Sequence, residues 1–364
     1  MLYLIALLFS AMVFAQTILV VERERGSVAL IDSGGEVHHI GGLGNMNHAT
    51  IKFFFGHAYV ISRDGYISKV SLSQKKLLKK AKVGDSSIGF ISCGGKIAVA
   101  NYSPTTVVFL SPELETLKVF ETRSRNVGIK SDGQLLFFSL MDKDKLWVID
   151  CRSLKVVRTF KNVGAMPFDA LFSGDRYIVG FFKESSIGVL DTENLVYRKV
   201  KFQKGSEEVT FKIPHFGLWG VYGELAYIPA VAQRKIHVVN IKTFRYIGSV
   251  ELPGLPVFVA VSPDGKYIGV NFSGDKEDFF SLFDRNTLKE LKRERLGRRI
   301  MHFRFSPDSG YIYLSSYYEN KLKKVSVPEL DVVREITLPT PSGVFIGGGS
   351  HGKGVSGRGG SGRP

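Results

Sequence analysis

The side chains of this chain whose types could do chemistry include three histidines, His48, His215 and His302, and three arginines, Arg63, Arg125 and Arg298. An imidazole can ligate a transition metal such as iron, and it exchanges a proton near neutral pH. A guanidinium stays charged and grips a carboxylate through two parallel N–H bonds. These residues lie far apart in sequence, so joint chemistry depends on a fold that brings them to one place.

That fold is written as a repeat. Short runs of Val, Ile, Phe and Tyr alternate with turn residues, and no amphipathic helix pattern interrupts them. One unit recurs: a strand, a turn of the SPDGK kind, a second strand, a loop, then a strand ending in Asp, Ser or Asn. The terminal residues are Asp32, Ser71, Ser111, Asp150, Asp191, Asn240, Asp284 and Ser326, spaced 39, 40, 39, 41, 49, 44 and 42 residues apart. The first turn is clearest at Ser262-Pro263-Asp264-Gly265-Lys266 and Ser306-Pro307-Asp308-Ser309-Gly310. A period of about 41 residues with four strands per unit is the signature of a β-propeller blade. Eight anchors predict an all-β, eight-bladed propeller. Residues 18–21 read as the second strand of blade 1, and residues 342–346 as a strand left over at the end. Pairing the C-terminal strand with the N-terminal blade closes the ring and removes the exposed edges.

In a propeller, the loops entering the inner strands and the loops joining second and third strands open on one face. His48, Arg125, His215, Arg298 and His302 fall in the first set, and Arg63, Asn101, Tyr102 and Asp142 in the second. Three of the eight histidines are therefore expected near the axis of one mouth, among arginines. His38 and His39 on an outer strand, His57 in a far-face turn and His237 inside a strand are assigned to structure or solvent. A wide electropositive mouth with histidines suits a flat anionic ligand, and a haem-like macrocycle with several carboxylates meets that description. A protein-binding platform with solvated arginines fits equally well, so residue types leave the two readings level. There is no HExxH, GxSxG or P-loop, and no GxGxxG between a strand and a helix. Hydrolase, kinase and Rossmann dehydrogenase readings gain little support.

The composition agrees with a globular chain that has a large core: 44% hydrophobic and 23% charged residues. Its formal net charge of +15 points to an anionic partner, and no aromatic-plus-basic nucleic-acid motif accompanies it. Lys75-Lys76, Lys79-Lys80, Lys321 and Lys323-Lys324 read as solvated outer faces, with the steering of an acidic partner as the other reading. Cys93 and Cys151 form neither CxxC nor CxxCH, so a zinc ribbon, a thioredoxin-type site and a c-type haem attachment are excluded. They are expected to be buried, unpaired structural residues, with a long-range disulfide as the alternative. Residues 1–16 carry no charged side chain, and Val13-Phe14-Ala15 offers a small-x-small pattern. This predicts a cleavable signal peptide over residues 1–15 and a periplasmic protein if the organism is a diderm. A buried first strand is the alternative, because no Lys or Arg precedes the apolar run. The propeller is expected over residues 16–346. Residues 347–364, GGGSHGKGVSGRGGSGRP, read as a flexible Gly/Ser-rich basic tail.

Specific stretches then resemble the NirF family of heme d1 biosynthesis proteins of denitrifiers. They include residues 18–23 with Gly26-Ser27-Val28, Asn47-His48-Ala49, Ser62-Arg63-Asp64-Gly65, Asn101-Tyr102 and Pro167-Phe168-Asp169-Ala170-Leu171. Lys212-Ile213-Pro214-His215 with Trp219, residues 227–231, residues 254–259 and residues 341–345 continue the similarity in order. It extends to the wider family that includes the d1-binding propeller of cytochrome cd1 nitrite reductase. Other members of that family carry a c-type haem domain, and with no CxxCH here the resemblance implies no covalently attached c-type haem. It implies a periplasmic propeller that binds heme d1 or a late tetrapyrrole precursor and takes part in its maturation. His48 is implied, through the Asn-His-Ala context, as an iron ligand or proton donor, and His215 as a second iron ligand or an acid/base. A functional aspartate is implied in the fourth blade. Asp132 and Asp142 both lie near, and Asp142 is preferred as a general base because its loop faces the mouth. Arg63, Arg125 and Arg298 would hold carboxylates, with Asn101, Tyr102 and His302 completing the cofactor-binding wall. A tetrapyrrole-modifying enzyme of dehydrogenase or side-chain lyase type, a non-catalytic carrier and a ligand-free protein-interaction propeller are the three readings that follow. The implied partners are other heme d1 biosynthesis proteins and nitrite reductase. A homodimer stays open, and neither nucleic acid nor a stable membrane span is expected.

Overall fold

Two strand textures follow from two positions in a blade. Third strands such as Ser27–Ile31 and Thr106–Leu110 are buried along their whole length. They are covered on both faces by neighbouring blades and so read as unbroken apolar runs. An outer strand such as Arg245–Glu251 alternates between exposed and half-buried positions, as a strand with one wet face must. The computed structural model describes residues 16–347 apart from 33, 185 and 202–218. Among these, the strands form eight four-stranded antiparallel sheets, and the only helices are three-residue 3-10 turns. This is the eight-bladed propeller read from the repeat.

Blade 1 takes its inner strand from the end of the chain. Pro341–Gly347 pairs with Thr17–Glu22, which is followed by Ser27–Ile31 and Val37–Ile40. Thr17 lies opposite Gly347 and Leu19 opposite Phe345, with a bulge between Val20 and Glu22. Leu19, Val21, Val28 and Leu30 share one apolar cluster with Ile51, Ala58, Val60 and Val70 of blade 2. Leu30 is 1% exposed, and truncating such a side chain to Ala costs about 2–5 kcal/mol.

Each of the eight anchors ends or directly follows a third strand. Its oxygen accepts backbone N–H bonds from the turn beyond, as Asp150 does from Ser153, Asp191 from Asn194, Asn240 from Thr243 and Asp284 from Thr287. Asp32, Ser71, Ser111 and Ser326 do the same. Short polar side chains recur at this place because they can fold back on a turn without help from another strand.

The cysteines correct the expectation of two free thiols. Cys93 closes the inner strand Ser86–Cys93 of blade 3, and Cys151 directly follows the third strand Lys145–Asp150 of blade 4. They form a disulfide on the far face, with Cα atoms 5.8 Å apart across a separation of 58 residues. Lys321, Lys323 and Lys324 also depart from expectation, because they stand on the third strand Lys321–Ser326 and not on an outer one. Lys323 is buried and pairs with Glu319 at 2.7 Å and Glu335 at 3.3 Å. Residues 1–15 and 348–364, the expected signal peptide and almost all of the expected tail, lie outside the described residues. No helix among the described residues is long and apolar enough to cross a membrane.

Candidate functional site

His48 stands on the loop that enters the inner strand Thr50–Phe54 of blade 2. Leu43 and Met46 of this loop are buried in the cluster shared by blades 1 and 2. The next mouth turn clasps its polar side. The Arg63 N–H donates to the Asn45 carbonyl at 2.7 Å, and the Asn45 N–H donates to Asp64 Oδ1 at 3.0 Å. Burial pushes the Asp64 carboxyl up, but the bonds from Ser62 and Asn45 outweigh it and hold it below its usual range. His48 is thus exposed on a fixed loop, with φ at 56° in the left-handed region. For a non-glycine residue that backbone costs about 1–2 kcal/mol.

The same turn sends Arg63 across to blade 3. Its guanidinium carbon lies 5.8 Å from the centre of the Tyr102 ring, near the end of the strand Lys96–Ser103. Arg63 Nη1 is buried and makes no hydrogen bond. An orphaned donor of this kind is costly, and an anionic oxygen relieves it. Burial pushes the Tyr102 phenol up to about 12 against the pull of Arg125 and Arg63, so it remains a donor at neutral pH.

Blade 4 supplies Arg125 and Asp142. Asp142 Oδ1 accepts from Arg125 Nε at 3.0 Å and Nη2 at 2.6 Å, while Oδ2 accepts the Arg125 backbone N–H at 2.8 Å. The side-chain bonds from Arg125 hold the Asp142 carboxyl below its usual range, against the burial that would raise it. A carboxylate so committed is ionised but a weak proton acceptor near pH 7. Asp132 lies on the far face, where it accepts the Gln134 and Leu135 N–H groups of its own turn.

Beside Tyr102, Phe168, Val127 and Met141 form a small buried cluster with Met166 and Phe182 packed against it. The Phe168 and Phe182 rings meet edge to face at 4.3 Å. A cleft lined by Phe168, Asp169, Phe182, Trp219 and Pro229 opens next to them. Trp219 Nε1 is buried there without a hydrogen-bond partner. The residues picked from sequence as a site omit this aromatic wall. Its signal was the Phe168 that sits between Pro167 and Asp169 in an entry segment.

Arg298 is exposed on the blade 8 entry loop, and its backbone N–H donates to Ser316 Oγ at 2.8 Å. Its neighbour Arg299 is the better-built residue. Arg299 Nη1 donates to the Tyr318 hydroxyl at 2.9 Å, and its guanidinium lies 5.6 Å and 5.5 Å from the Tyr317 and Tyr318 ring centres. The Tyr317 hydroxyl donates to Glu24 at 2.8 Å, which completes a second aromatic and basic cluster where blade 8 meets blade 1.

Two sequence-selected residues have structural places. Asn101 is fully buried, donating to the Val83 carbonyl at 2.8 Å and to Thr106 Oγ1 at 3.1 Å, and accepting from Ser87 Oγ at 2.7 Å. It fastens loops together below the rim. His302 is 7% exposed and lies against Phe258 at 4.7 Å and Phe345 at 5.5 Å. Its Nδ1 accepts the Val344 N–H at 3.1 Å, so it fastens the ring-closing strand to blade 8. One strand step turns a side chain from one face to the other, and that step takes His302 off the mouth. Among the described residues His48 is the histidine on a mouth loop. His215 lies outside them.

The family model of the cytochrome D1 heme domain matches residues 15–349. Protein NirF of Pseudomonas aeruginosa is 30% identical over 351 residues, covering 90% of each chain. Protein NirF of Stutzerimonas stutzeri is 29% identical over 361 residues, covering 92% of each. Among solved structures, dihydro-heme d1 dehydrogenase NirN in complex with DHE superposes with a TM-score of 0.77 at 19% identity, over 90% of this chain and 74% of that one. Apo AztD from Citrobacter koseri gives a TM-score of 0.71 at 16% identity, over 93% of this chain and 99% of the other. At such identities these two carry the fold alone. The match along the whole propeller and the two sequence relatives together decide kinship: the chain belongs to the cytochrome D1 heme domain family, and within it to the NirF proteins.

Proposed function

We propose that this protein serves heme d1 biosynthesis by holding heme d1 or a late tetrapyrrole precursor at the mouth of the propeller, in the periplasm. The observation that carries this reading is Arg63, whose buried Nη1 has no acceptor while its guanidinium lies over the Tyr102 ring. The residues present fit a flat, multiply carboxylated macrocycle. Arg63 and the exposed Arg298 would take carboxylates, and Tyr102 would donate its hydroxyl to an oxygen of the ligand. Phe168, Phe182 and Trp219 offer apolar surface for a ring, and His48 is placed to reach the iron or a proton from a loop that does not need to reorganise. When bound, the tetrapyrrole supplies the redox and iron chemistry, and the protein supplies charge, orientation and shelter from water.

One feature favours holding the ligand over transforming it. Asp142, the residue read as a general base, spends its oxygens on Arg125 and is held below the usual carboxylate range. A carrier or presenting role, with nitrite reductase or another heme d1 biosynthesis protein as recipient, asks for no such base. The periplasmic assignment rests on the apolar, small-x-small leader and gains support from the Cys93–Cys151 disulfide, since such bonds persist in oxidising compartments.

The test is a titration of the mature protein with heme d1, followed by visible absorption, for wild type and His48→Ala. A Soret shift that saturates near one equivalent and changes in the variant supports the reading. No spectral change at tens of micromolar sinks it and leaves a protein-interaction propeller.

A further inference from the structure

Blade 5 has a glycine where its neighbour has a phenylalanine, and a cleft follows from the difference. In the ladder of Pro167–Ser173 with Arg176–Phe181, Pro167 lies opposite Phe181 and Ala170 opposite Val179. Phe168 and Asp169 therefore bulge out opposite the single residue Gly180. The matching bulge of blade 4 sets Gly128 and Ile129 opposite Phe138. With no side chain at Gly180, the indole of Trp219 from blade 6 comes close. A Cβ at Gly180 would lie 2.8 Å from Trp219 Cη2 and 3.1 Å from its Cζ2. Trp219 directly precedes the inner strand Gly220–Tyr222, is 7% exposed, and packs with Ile178, Ile187 and Ile228 at the joint of blades 5 and 6. The ring does not fill the space, and the cleft beside it is bounded by Asp169, Gly180, Phe181 and Pro229 as well.

The polar groups of this lining are few. Among the described residues that bound the cleft, Trp219 Nε1 is the one side-chain donor, and it has no acceptor on the protein. A buried indole N–H ordinarily finds a partner, and one left without bears the full cost of its lost hydration. Nε1 is two bonds from Cζ2, on the edge of the ring turned to Gly180, so the N–H borders the cleft. Pro229 has no N–H to offer, and the Phe182 N–H is taken by the Met166 carbonyl at 2.9 Å. Asp169 is the one carboxyl group, and its Oδ1 accepts the Ala170 N–H at 2.8 Å. No Lys or Arg is among the described lining residues. A carboxylate of a ligand thus meets Asp169 here with no cation to hold it, whereas Arg63 offers one on the blade 2 side of the mouth. An uncharged oxygen suits the cleft, because the indole N–H can bond it without a counter-charge.

We propose that Trp219 is a specificity residue of the mouth, whose Nε1–H donates to an uncharged carbonyl oxygen on the ring edge of the bound macrocycle. The inference rests on the reading that the mouth holds a tetrapyrrole, and it adds which kind and which way round. A ring that bears an oxo group enters with that edge toward blades 5 and 6 and with its carboxylates toward Arg63. A hydrocarbon edge in the cleft would leave the indole N–H buried and unbonded, so the site discriminates through the penalty on the wrong ligand.

Visible titrations of wild type and Trp219→Phe would test it, with two probes: heme d1, whose ring bears oxo groups, and protohaem, whose edge groups are hydrocarbon or carboxylate. Wild type is expected to favour heme d1. Trp219→Phe keeps an aromatic ring and loses the N–H. It is expected to bind heme d1 about tenfold more weakly, the size of one bond to a buried donor, and protohaem within about threefold of wild type. Equal losses for both haems, or none, overturn the role of Trp219 and leave the reading of the mouth intact. If neither haem binds wild type, the reading of the mouth falls and takes this inference with it. If Trp219→Phe does not fold, ultraviolet resonance Raman spectra of the Trp147→Phe protein decide, since Trp219 is then its one tryptophan. The indole N–H band should move to its hydrogen-bonded position on addition of heme d1 and stay in place with protohaem. A band already at the bonded position in the free protein, or unmoved by heme d1, refutes the proposal.

Discussion

Arg63 and Tyr102 form a cation–π pair across the joint between blades 2 and 3, with guanidinium carbon and ring centre 5.8 Å apart and Arg63 Nη1 left buried and unbonded. The arginine comes from a turn pinned to the His48 loop, so the two halves of the candidate site share one support. The unbonded Nη1 lowers the stability of the ligand-free protein at this point. A donor without an acceptor weakens the free chain, and a ligand bound as proposed would relieve it.

Arg63→Met puts this to a direct test. Removing the orphaned N–H is expected to leave the ligand-free protein as stable as wild type, or up to about 1 kcal/mol more stable, by urea denaturation. Heme d1 binding should fall about tenfold or more in the visible titration. Arg63→Lys is expected to recover little, because an ammonium cannot present the same fork.

Asp142→Asn separates a base from a clamp. The pair with Arg125 is about 40% exposed on each side, so its loss should cost less than about 1 kcal/mol at pH 7. The folded-state pKa of Asp142 is depressed, so its contribution is present above the unfolded value of 3.8 and lost as pH falls through the lower folded value. Wild type and variant should accordingly converge in stability at the acid end of a pH series. Ligand affinity should change by less than threefold, since the freed Arg125 still faces the mouth.

The Cys93–Cys151 disulfide is expected to act on stability and not on binding. Closing a loop of 58 residues contributes about 4 kcal/mol in the chain-entropy account. Cys93→Ser with Cys151→Ser, or dithiothreitol on wild type, should lower the urea midpoint while the spectrum of bound tetrapyrrole stays the same.

His237 predicts an acid-side slope. Burial lowers its pKa to about 4, and its ring nitrogens meet the Tyr246 hydroxyl at 3.1 Å and Gln233 Oε1 at 2.9 Å. Above pH 6.5 it is neutral folded or unfolded and costs nothing. Between pH 6.5 and 4 the unfolded chain takes up a proton that the folded site refuses. Stability should fall by up to about 3 kcal/mol over that window. His237→Gln is expected to flatten this part of a pH-dependent denaturation series.

The architecture was legible because it is periodic. Asp150, Asp191, Asn240 and Asp284 mark third-strand ends, since a turn needs a short acceptor wherever it recurs. Assigning loops to faces followed from the strand count, which is why Arg63, Tyr102, Arg125 and Asp142 meet at one mouth. Depth was less legible. His302 was read at the rim and lies one strand step below it, between Phe258 and Phe345. Lateral contact between blades was hidden too. Cys93 and Cys151 sit at turns of different kinds, and their meeting depends on how adjacent blades twist past one another. Asp142 was placed correctly at the mouth, yet its pairing with Arg125 is a matter of rotamers that spacing does not carry.

The strand Pro341–Gly347 gives the molecule an unusual order of assembly. The blade read first by the ribosome is the blade finished last, because Leu19 meets Phe345 only when the whole chain is available. Until then Thr17–Glu22 presents an unpaired edge and an uncovered apolar face. Such an edge is open to premature pairing during that wait. Completion is also a proofreading step: a chain stopped short of residue 341 has seven blades that can form and an eighth that cannot, and it remains open to proteases at the seam where the finished ring is sealed.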